Sequence, residues 1–549
     1  MSTASPAGIQ AAPPKRDTFS SRRVFILAAI GSAVGLGNIW RFPYIAYENG
    51  GGAFMIPYAV ALVFAGIPLL FLDYAIGHKF RGSPPLSMRR LHPKAEWLGW
   101  WQVAVCVVIS VYYAVILAWA AMYVWFSVQH SWGDDPAGFF MKQFLQVSDE
   151  VSVTADVVPG VLLPLIGVWV VLIVIMALGV NKGVGMLSVI FIPTLIVAFG
   201  ILVVQALLLP GAAQGLEAFF QPNWSALTDY KVWMSAVGQI FFSLSVGFGI
   251  MITYSSYVDR RTDVTNSGLV VGFANSSFEL LAGIGVFAAL GFMAAAANVA
   301  VSEVVSSGIG LAFIAFPTII NEAPGGTLLG VLFFISLLLA GITSLVSLLE
   351  VCVSAVREKL GLGRVPATLA ICVPIAIVSC VFFGTASGLY VLDTVDAFVN
   401  SFGILAVAMV AMVLITWLFR SLPTLRDHLR HHGNFPIGWL WMALIGVVLP
   451  IALFVMLRQD LVTRLSDGYE GYPQGFVNLF GWGMAIALPI IAIVLSLLPW
   501  NKKVRLGLQH TYDPAADDDA LIEAAERDRA HDRVADRPDG DDGAKGPRP

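Results

Sequence analysis

Between Val24 and Trp500 the sequence returns twelve times to apolar stretches, each about the 20 residues with which a helix crosses a hydrocarbon core about 30 Å thick. Such a core offers no water, so each stretch must satisfy its own backbone hydrogen bonds, as a helix does. The reading is an all-α polytopic membrane protein. A composition 57% hydrophobic and only 12% charged agrees with it. The expected transmembrane helices are 24–47, 52–77, 97–128, 160–179, 186–209, 233–257, 267–297, 328–356, 367–388, 395–419, 437–457 and 475–499. The first is longer than a cleaved leader, follows a Pro-rich segment and runs straight into the second, so it is expected to stay in the mature chain.

Lys and Arg are retained on the cytoplasmic side during insertion, and here they favour alternate loops. One side carries Lys15, Arg16, Arg22, Arg23, Lys79, Arg81, Arg89, Arg90, Arg260, Arg261, Arg357, Lys359, Arg364, Arg420 and Arg426. The other holds few basic residues among acids such as Asp134, Asp135, Asp149 and Glu150. Both termini are therefore expected in the cytoplasm: residues 1–23 as a short leading segment and 501–549 as an acidic, disordered tail. Residues 513–549 contain 12 Asp or Glu against 6 Lys or Arg. A solvated tail is the expectation, an unknown partner for it the alternative. The four cysteines, Cys106, Cys352, Cys372 and Cys380, lie in apolar spans where packing is the expected role. CxxC, HExxH, GxSxG and GxxxxGKS patterns are absent from the sequence, so no enzyme and no nucleic-acid partner is expected.

GSAVGLGN at 31–38 sets Gly31, Gly35, Gly37 and Asn38 near the middle of the first span. SLSVGFG at 243–249 interrupts the sixth in the same way. Unwinding within a bilayer is tolerated only where a cavity or an ion satisfies the freed backbone. The five-span offset implies two inverted five-helix repeats, 24–210 and 211–420, with discontinuous helices 1 and 6 and two additional helices in 421–500. For Gly31 and Gly35 alone, close helix packing is the competing explanation. Asn38 and the matching second break weigh against it. Half-helix ends can hold both ends of a zwitterion, and freed carbonyls, an amide oxygen and hydroxyls are hard donors suited to sodium.

The segments GSAVGLGNIWRFPYIAYENGGGAF (31–54), VGQIFFSLSVGFGIMITYSSYV (237–258) and AGITSLVSLLE (340–350) resemble the signature segments of the neurotransmitter:sodium symporter family, above all its bacterial amino-acid members such as the leucine transporter. The resemblance runs from about Arg16 to Phe419 and implies two sodium sites. The first would use the Ala33 carbonyl, Asn38, Ser243, Asn275 and the substrate's own carboxylate. The second would use the carbonyls of Gly31, Val34 and Ala340 and the hydroxyls of Thr343 and Ser344. Positions 340, 343 and 344 also share one helix face. Glu279 matches the place where chloride-dependent members bind their anion, which implies that chloride is not required.

The resemblance further implies an outer gate of Arg41 and Asp396 above an aromatic lid of Tyr113 and Phe242. It implies an inner gate of Arg16 and Glu358 with Phe19, Ser256 and Tyr257. Gly183 and Pro193 match a motif that permits local unwinding of the fifth span. The substrate pocket would be bordered by Ser32, Ala33, Gly37, Ile109, Tyr113, Phe242, Ser243, Ser245, Phe248, Ser344 and Leu348. Amine-transporting members carry an Asp at position 35. Gly35 leaves the carboxylate to the ligand, so a neutral, hydrophobic amino acid is the expected substrate. The function implied is sodium-coupled amino-acid import by alternating access in the bacterial inner membrane. A membrane sensor that binds an amino acid without transporting it is the alternative. A channel is less consistent with two opposed gates.

Overall fold

The computed structural model describes residues 17–306 and 308–502, with 504 and 506. Everything named below belongs to the compact unit that ends at Val504. Among the described residues the regular structure is helical, apart from isolated bridges between Gly51 and Pro222 and between Val157 and Thr385. Among the described residues ten continuous helices are long and apolar enough to cross a membrane, and an eleventh crossing is the bent pair Arg22–Ala33 and Leu36–Glu48. The remaining interrupted element is Tyr230–Ser243 followed by Ile250–Ser255, each half too short to cross alone. In chain order the crossings are span 1 (the bent pair), span 2 (Gly52–Phe80), span 3 (Glu96–Gln129), span 4 (Pro159–Ala177), span 5 (Val180–Leu207), span 6 (the interrupted pair), span 7 (Val264–Ala297), span 8 (Gly326–Leu360), span 9 (Arg364–Phe383), span 10 (Gly388–Leu418), span 11 (Trp439–Ser466) and span 12 (Gln474–Leu497).

These limits shift several of the sequence boundaries. Span 5 begins at Val180 because a π-helical turn, Val180–Gly185, carries the helix back past Gly183. Span 3 exceeds its expected bounds by only one residue at each end, whereas span 8 runs on to Leu360. Polar caps explain some ends: Ser21 Oγ accepts from the Val24 amide, and Asp263 accepts from the Asn266 amide at 2.9 Å.

The most apolar stretch of span 3 is 78% buried whereas that of span 12 is 17% buried, which puts span 3 at the centre and span 12 at the rim. Rim helices turn large apolar side chains outward, among them Leu163, Val197, Ile377 and Ile493. That arrangement suits a lipid surround.

Both breaks are narrower than the sequence pattern. In span 1 only Val34 (ψ 96°) and Gly35 (φ −126°, ψ −164°) leave the helix, and the halves bend by 54°. Gly31 stays helical, and Gly37 and Asn38 already belong to the second half. In span 6 the break covers residues 244–249, with Ser245, Gly247 and Gly249 at φ of 53°, 87° and 92°. Left-handed backbone costs an L side chain about 1–2 kcal/mol, which explains two of these glycines and marks Ser245 as strained. A methyl at position 247 would also stand 2.8 Å from Ala408 Cβ. Gly247→Ala is therefore expected to destabilise the fold by at least about 1–2 kcal/mol, read as a lower thermal unfolding midpoint of purified protein. An unchanged midpoint would show that the second break tolerates an ordinary residue.

Candidate functional site

The two breaks face each other. Ser245 Oγ, in the second, donates to the Ser32 carbonyl in the first at 3.0 Å, and Ser344 Oγ from span 8 donates to the same oxygen at 3.2 Å. The amide groups of the second break are held by side chains: Gly247 N–H donates to Asp73 Oδ2 at 3.0 Å, and Gln102 Nε2 donates to the Gly247 carbonyl at 3.0 Å. Cys106 Sγ approaches the Phe248 carbonyl at 3.2 Å. In the first break the Gly35 amide donates to Asn38 Oδ1 at 2.9 Å, and the Leu36 amide to Tyr113 Oη at 3.4 Å.

Around the first break the Gly31, Ala33 and Val34 carbonyls have no such partners among the described residues. Among the described residues no hydrogen bond is made to the Gly31 or Val34 carbonyl, because the Gly35 amide, which would continue the helix onto Gly31, has turned to Asn38. Span 8 passes close beside them, so that a methyl built at Gly31 would lie 3.3 Å from Thr343 Cβ. Thr343 Oγ1 donates to the Ala340 carbonyl at 2.9 Å, leaving its lone pairs available. Gly31, Val34, Ala340, Thr343 and Ser344 thus come from the two helices that meet here, and their free groups are hard oxygen donors.

The other donor set is a chain of side chains. Asn38 Nδ2 donates to Asn275 Oδ1 at 2.8 Å, and Asn275 Nδ2 donates to Ser243 Oγ at 3.1 Å. All three are buried. One turn along span 7 from Asn275, Glu279 is fully buried and accepts from Gln239 Nε2 at 2.7 Å and from the Tyr58 hydroxyl. Its described contacts are neutral donors.

Every residue expected to border a substrate lines one cavity of about 1330 Å³. Its floor is the pair of breaks, with Ile109, Phe248 and Leu348 as apolar walls, and it widens past Arg41 and Tyr44 to Asp460 and Glu470 near the loop between spans 11 and 12. Gly35 leaves room here, since a methyl would stand 3.2 Å from Tyr113 Oη and 3.3 Å from Ser344 Oγ.

The expected Arg41–Asp396 ion pair is not made in this structure. Arg41 lies over the Phe242 ring, 4.5 Å from its centre. Asp396 accepts instead from the Tyr112 hydroxyl at 2.6 Å and from Asn400 Nδ2 at 3.0 Å. Both charges line the cavity.

Beneath the cavity the chain is shut. The Phe19 amide donates to the Tyr257 carbonyl at 3.0 Å, and the Phe19 ring packs edge-on against Tyr254 and Tyr257. Ser256 Oγ turns back to the Thr253 carbonyl. Arg16 lies outside the described residues. Glu358 accepts from the Ser83 amide at 2.9 Å and the Ser83 hydroxyl at 2.6 Å.

Sequence reasoning missed several side chains on which this arrangement depends. Arg364 grips Glu350 through two bonds of 2.8 and 2.7 Å, with the Tyr257 hydroxyl on the same carboxylate at 2.7 Å. Glu350 and Asp73 are acids inside apolar spans, the signal that singled out Glu279, and the same criterion finds them. Tyr112, Gln239 and Gln102 carry no such signal.

The sequence matches the model of the sodium:neurotransmitter symporter family over residues 16–135 and 133–503. It is 40% identical over 492 residues to an uncharacterised sodium-dependent transporter of Methanocaldococcus jannaschii, covering 89% of this chain and 99% of that protein. It is 30% identical over 554 residues to the human sodium- and chloride-dependent neutral and basic amino acid transporter B(0+), covering 87% and 85% of the two chains. A taurine transporter of Rattus norvegicus, also sodium- and chloride-dependent by name, is 29% identical over 556 residues, covering 91% of this chain and 88% of the relative.

The donor set around Thr343 yields a direct test. Sodium that binds only folded protein stabilises it by about 2.7 kcal/mol at a hundred times its dissociation constant. Purified protein is expected to melt higher in sodium than in potassium chloride, and Thr343→Ala to lose part of that difference while melting normally in potassium. An undiminished sodium effect in the variant would remove Thr343 from the ion's surroundings.

Proposed function

This chain belongs to the sodium:neurotransmitter symporter family, and from that premise we propose that it imports a neutral amino acid with an apolar side chain, coupled to sodium, by alternating access across a bacterial inner membrane with both termini in the cytoplasm. The observation that carries the reading is the meeting of two broken helices over free carbonyls at the floor of a cavity open on one face and shut on the other.

One sodium would be held by the Gly31, Val34 and Ala340 carbonyls with the Thr343 and Ser344 hydroxyls. The second would lie by Ala33, Asn38, Ser243 and Asn275, beside the substrate carboxylate. An ion and a solute that share a contact each bind better when the other is present, and the effect is reciprocal. The Tyr113 hydroxyl, which accepts from the Leu36 amide at the start of the second half of span 1, would meet the same carboxylate. Named relatives carry different solutes, so the substrate class rests on the pocket. Gly35 offers no acid to an amine, and Ile109, Phe248 and Leu348 favour an apolar side chain. Closure from above would bring Arg41 off Phe242 towards Asp396. Opening from below would part Phe19 from Tyr257. A sensor that never releases its ligand inward has no need of two opposed closures.

Binding of a labelled amino-acid panel to purified protein, in sodium and in potassium, tests this. One neutral apolar amino acid is expected to bind only in sodium, and Asn38→Ala to weaken it by roughly tenfold or more, about 1.4 kcal/mol. Binding indifferent to sodium would sink the ion assignment and bring the sensor reading forward.

Glu279 extends the proposal to chloride. A carboxylate beside the Asn275 end of the first donor set supplies the negative charge there, so uptake by reconstituted protein is expected to be unchanged when gluconate replaces chloride. Glu279→Ser, which removes that charge, is expected to make uptake several-fold faster with chloride than with gluconate. Equal rates in the variant would deny Glu279 the anion's place.

A further inference from the structure

Three consecutive residues at the end of span 8 gather segments from across the closed face. Arg357 pairs with Asp17, just ahead of span 1. Glu358 accepts from Ser83, which leads into the short helix Pro84–Leu91. Lys359 Nζ donates to Glu96 Oε1, in the first turn of span 3, at 2.5 Å and lies 4.5 Å from the centre of the Trp500 ring. Trp500 Nε1 donates to the other oxygen of Glu96 at 2.9 Å, so one indole serves both charges. Asn501 then covers the helix end, its amide donating to the Lys359 carbonyl and its Nδ2 to the Leu360 carbonyl, both at 3.0 Å.

The terminal carbonyls of a helix lack partners within it. Here the chain leaving span 12 supplies donors for two of them. The Lys359 and Glu96 side chains are only 2% and 3% exposed, and Glu96 also accepts from Trp100 Nε1 at 3.1 Å and pairs with Arg89 at 3.5 Å. The indole adds a cation–π face to Lys359 and a hydrogen bond to Glu96.

We propose that Trp500 and Asn501 form a clasp by which the segment leaving span 12 holds the last turn of span 8, and with it the Arg357 and Glu358 contacts that keep the base of the cavity shut. The inference rests on the alternating-access reading above. Releasing the clasp shifts the population towards a state open at the base.

The test uses the full-length protein carrying Ser256→Cys, labelled with a charged thiol reagent in sodium without amino acid. Ser256 is buried beneath the cavity, and its exposure reports opening of the base. Protein without the added cysteine sets the background from Cys106, Cys352, Cys372 and Cys380. Trp500→Ala is expected to raise the labelling rate about threefold or more, and Trp500→Phe, which keeps a ring and loses the N–H, to raise it less. Where Trp500→Ala fails to fold, Asn501→Ala and Trp500→Phe carry the same test. Unchanged rates in the folded variants overturn the clasp. Sodium-dependent amino-acid binding is measured on the same samples. Its absence in the unmodified protein defeats the symport reading, whereas normal binding with unchanged labelling defeats only the clasp.

Discussion

Backbone amides and carbonyls inside an apolar slab must find partners, and the two broken helices turn that constraint into a site. The partners differ between the breaks. In span 6 Asp73 and Gln102 take the Gly247 amide and carbonyl, fixing the segment from opposite sides. In span 1 Asn38 folds back on the Gly35 amide, and two serines converge on the Ser32 carbonyl. The second break is thus pinned at Gly247, and in the first no described hydrogen bond reaches the Gly31 or Val34 carbonyl. A small hard cation matches that remainder, because it satisfies several oxygens at once without needing a donor from the chain.

The buried carboxylates separate into two kinds on the same reasoning. Glu350 is gripped through both oxygens by Arg364 and also receives the Tyr257 hydroxyl, which makes it part of the closed base. Glu279 is hydrogen-bonded by neutral groups, Gln239, Tyr58 and Ser243, and feels Arg41 without an ion-pair contact. A carboxylate supported by neutral donors keeps its charge available to its surroundings, whereas one paired with a guanidinium largely cancels it. That difference is what the proposed electrostatic role of Glu279 rests on, whereas Glu350 is tied to the contacts around Tyr257.

Much of this was legible in sequence where the signal is local. Apolar length gives the crossings, and clustered glycines mark the breaks, although the structure confines the first to Val34 and Gly35. Partners distant in the chain were harder to read. Asp73 stands 174 residues from the Gly247 amide it holds, and Tyr112 stands 284 from Asp396. Nothing near Tyr112 distinguishes it from a packing aromatic. Arg41 and Asp396 illustrate a different limit: sequence identifies two charges suited to pairing, but whether they touch depends on their other partners, here the Phe242 ring for Arg41 and Tyr112 and Asn400 for Asp396.

That dependence follows from how the closures are built. The upper one is a single cation lying on an aromatic ring, with its acid held elsewhere by neutral groups, so little must be broken for it to move. The lower one joins a backbone hydrogen bond at Phe19, a doubly bonded Arg364–Glu350 pair and the segments gathered on the last turn of span 8. Buried ion pairs are costly to half-break, so a lower closure of this kind opens only when its contacts are released together. Filling the cavity offers a source for that release, because Ser32, Ser245 and Ser344 tie both breaks and span 8 to the same floor. Span 8 runs unbroken from Ser344 at that floor to Lys359 at the base. A rigid helix with one end in the binding site and the other in the lower closure lets occupancy at one be felt at the other, provided its last turn is free to move.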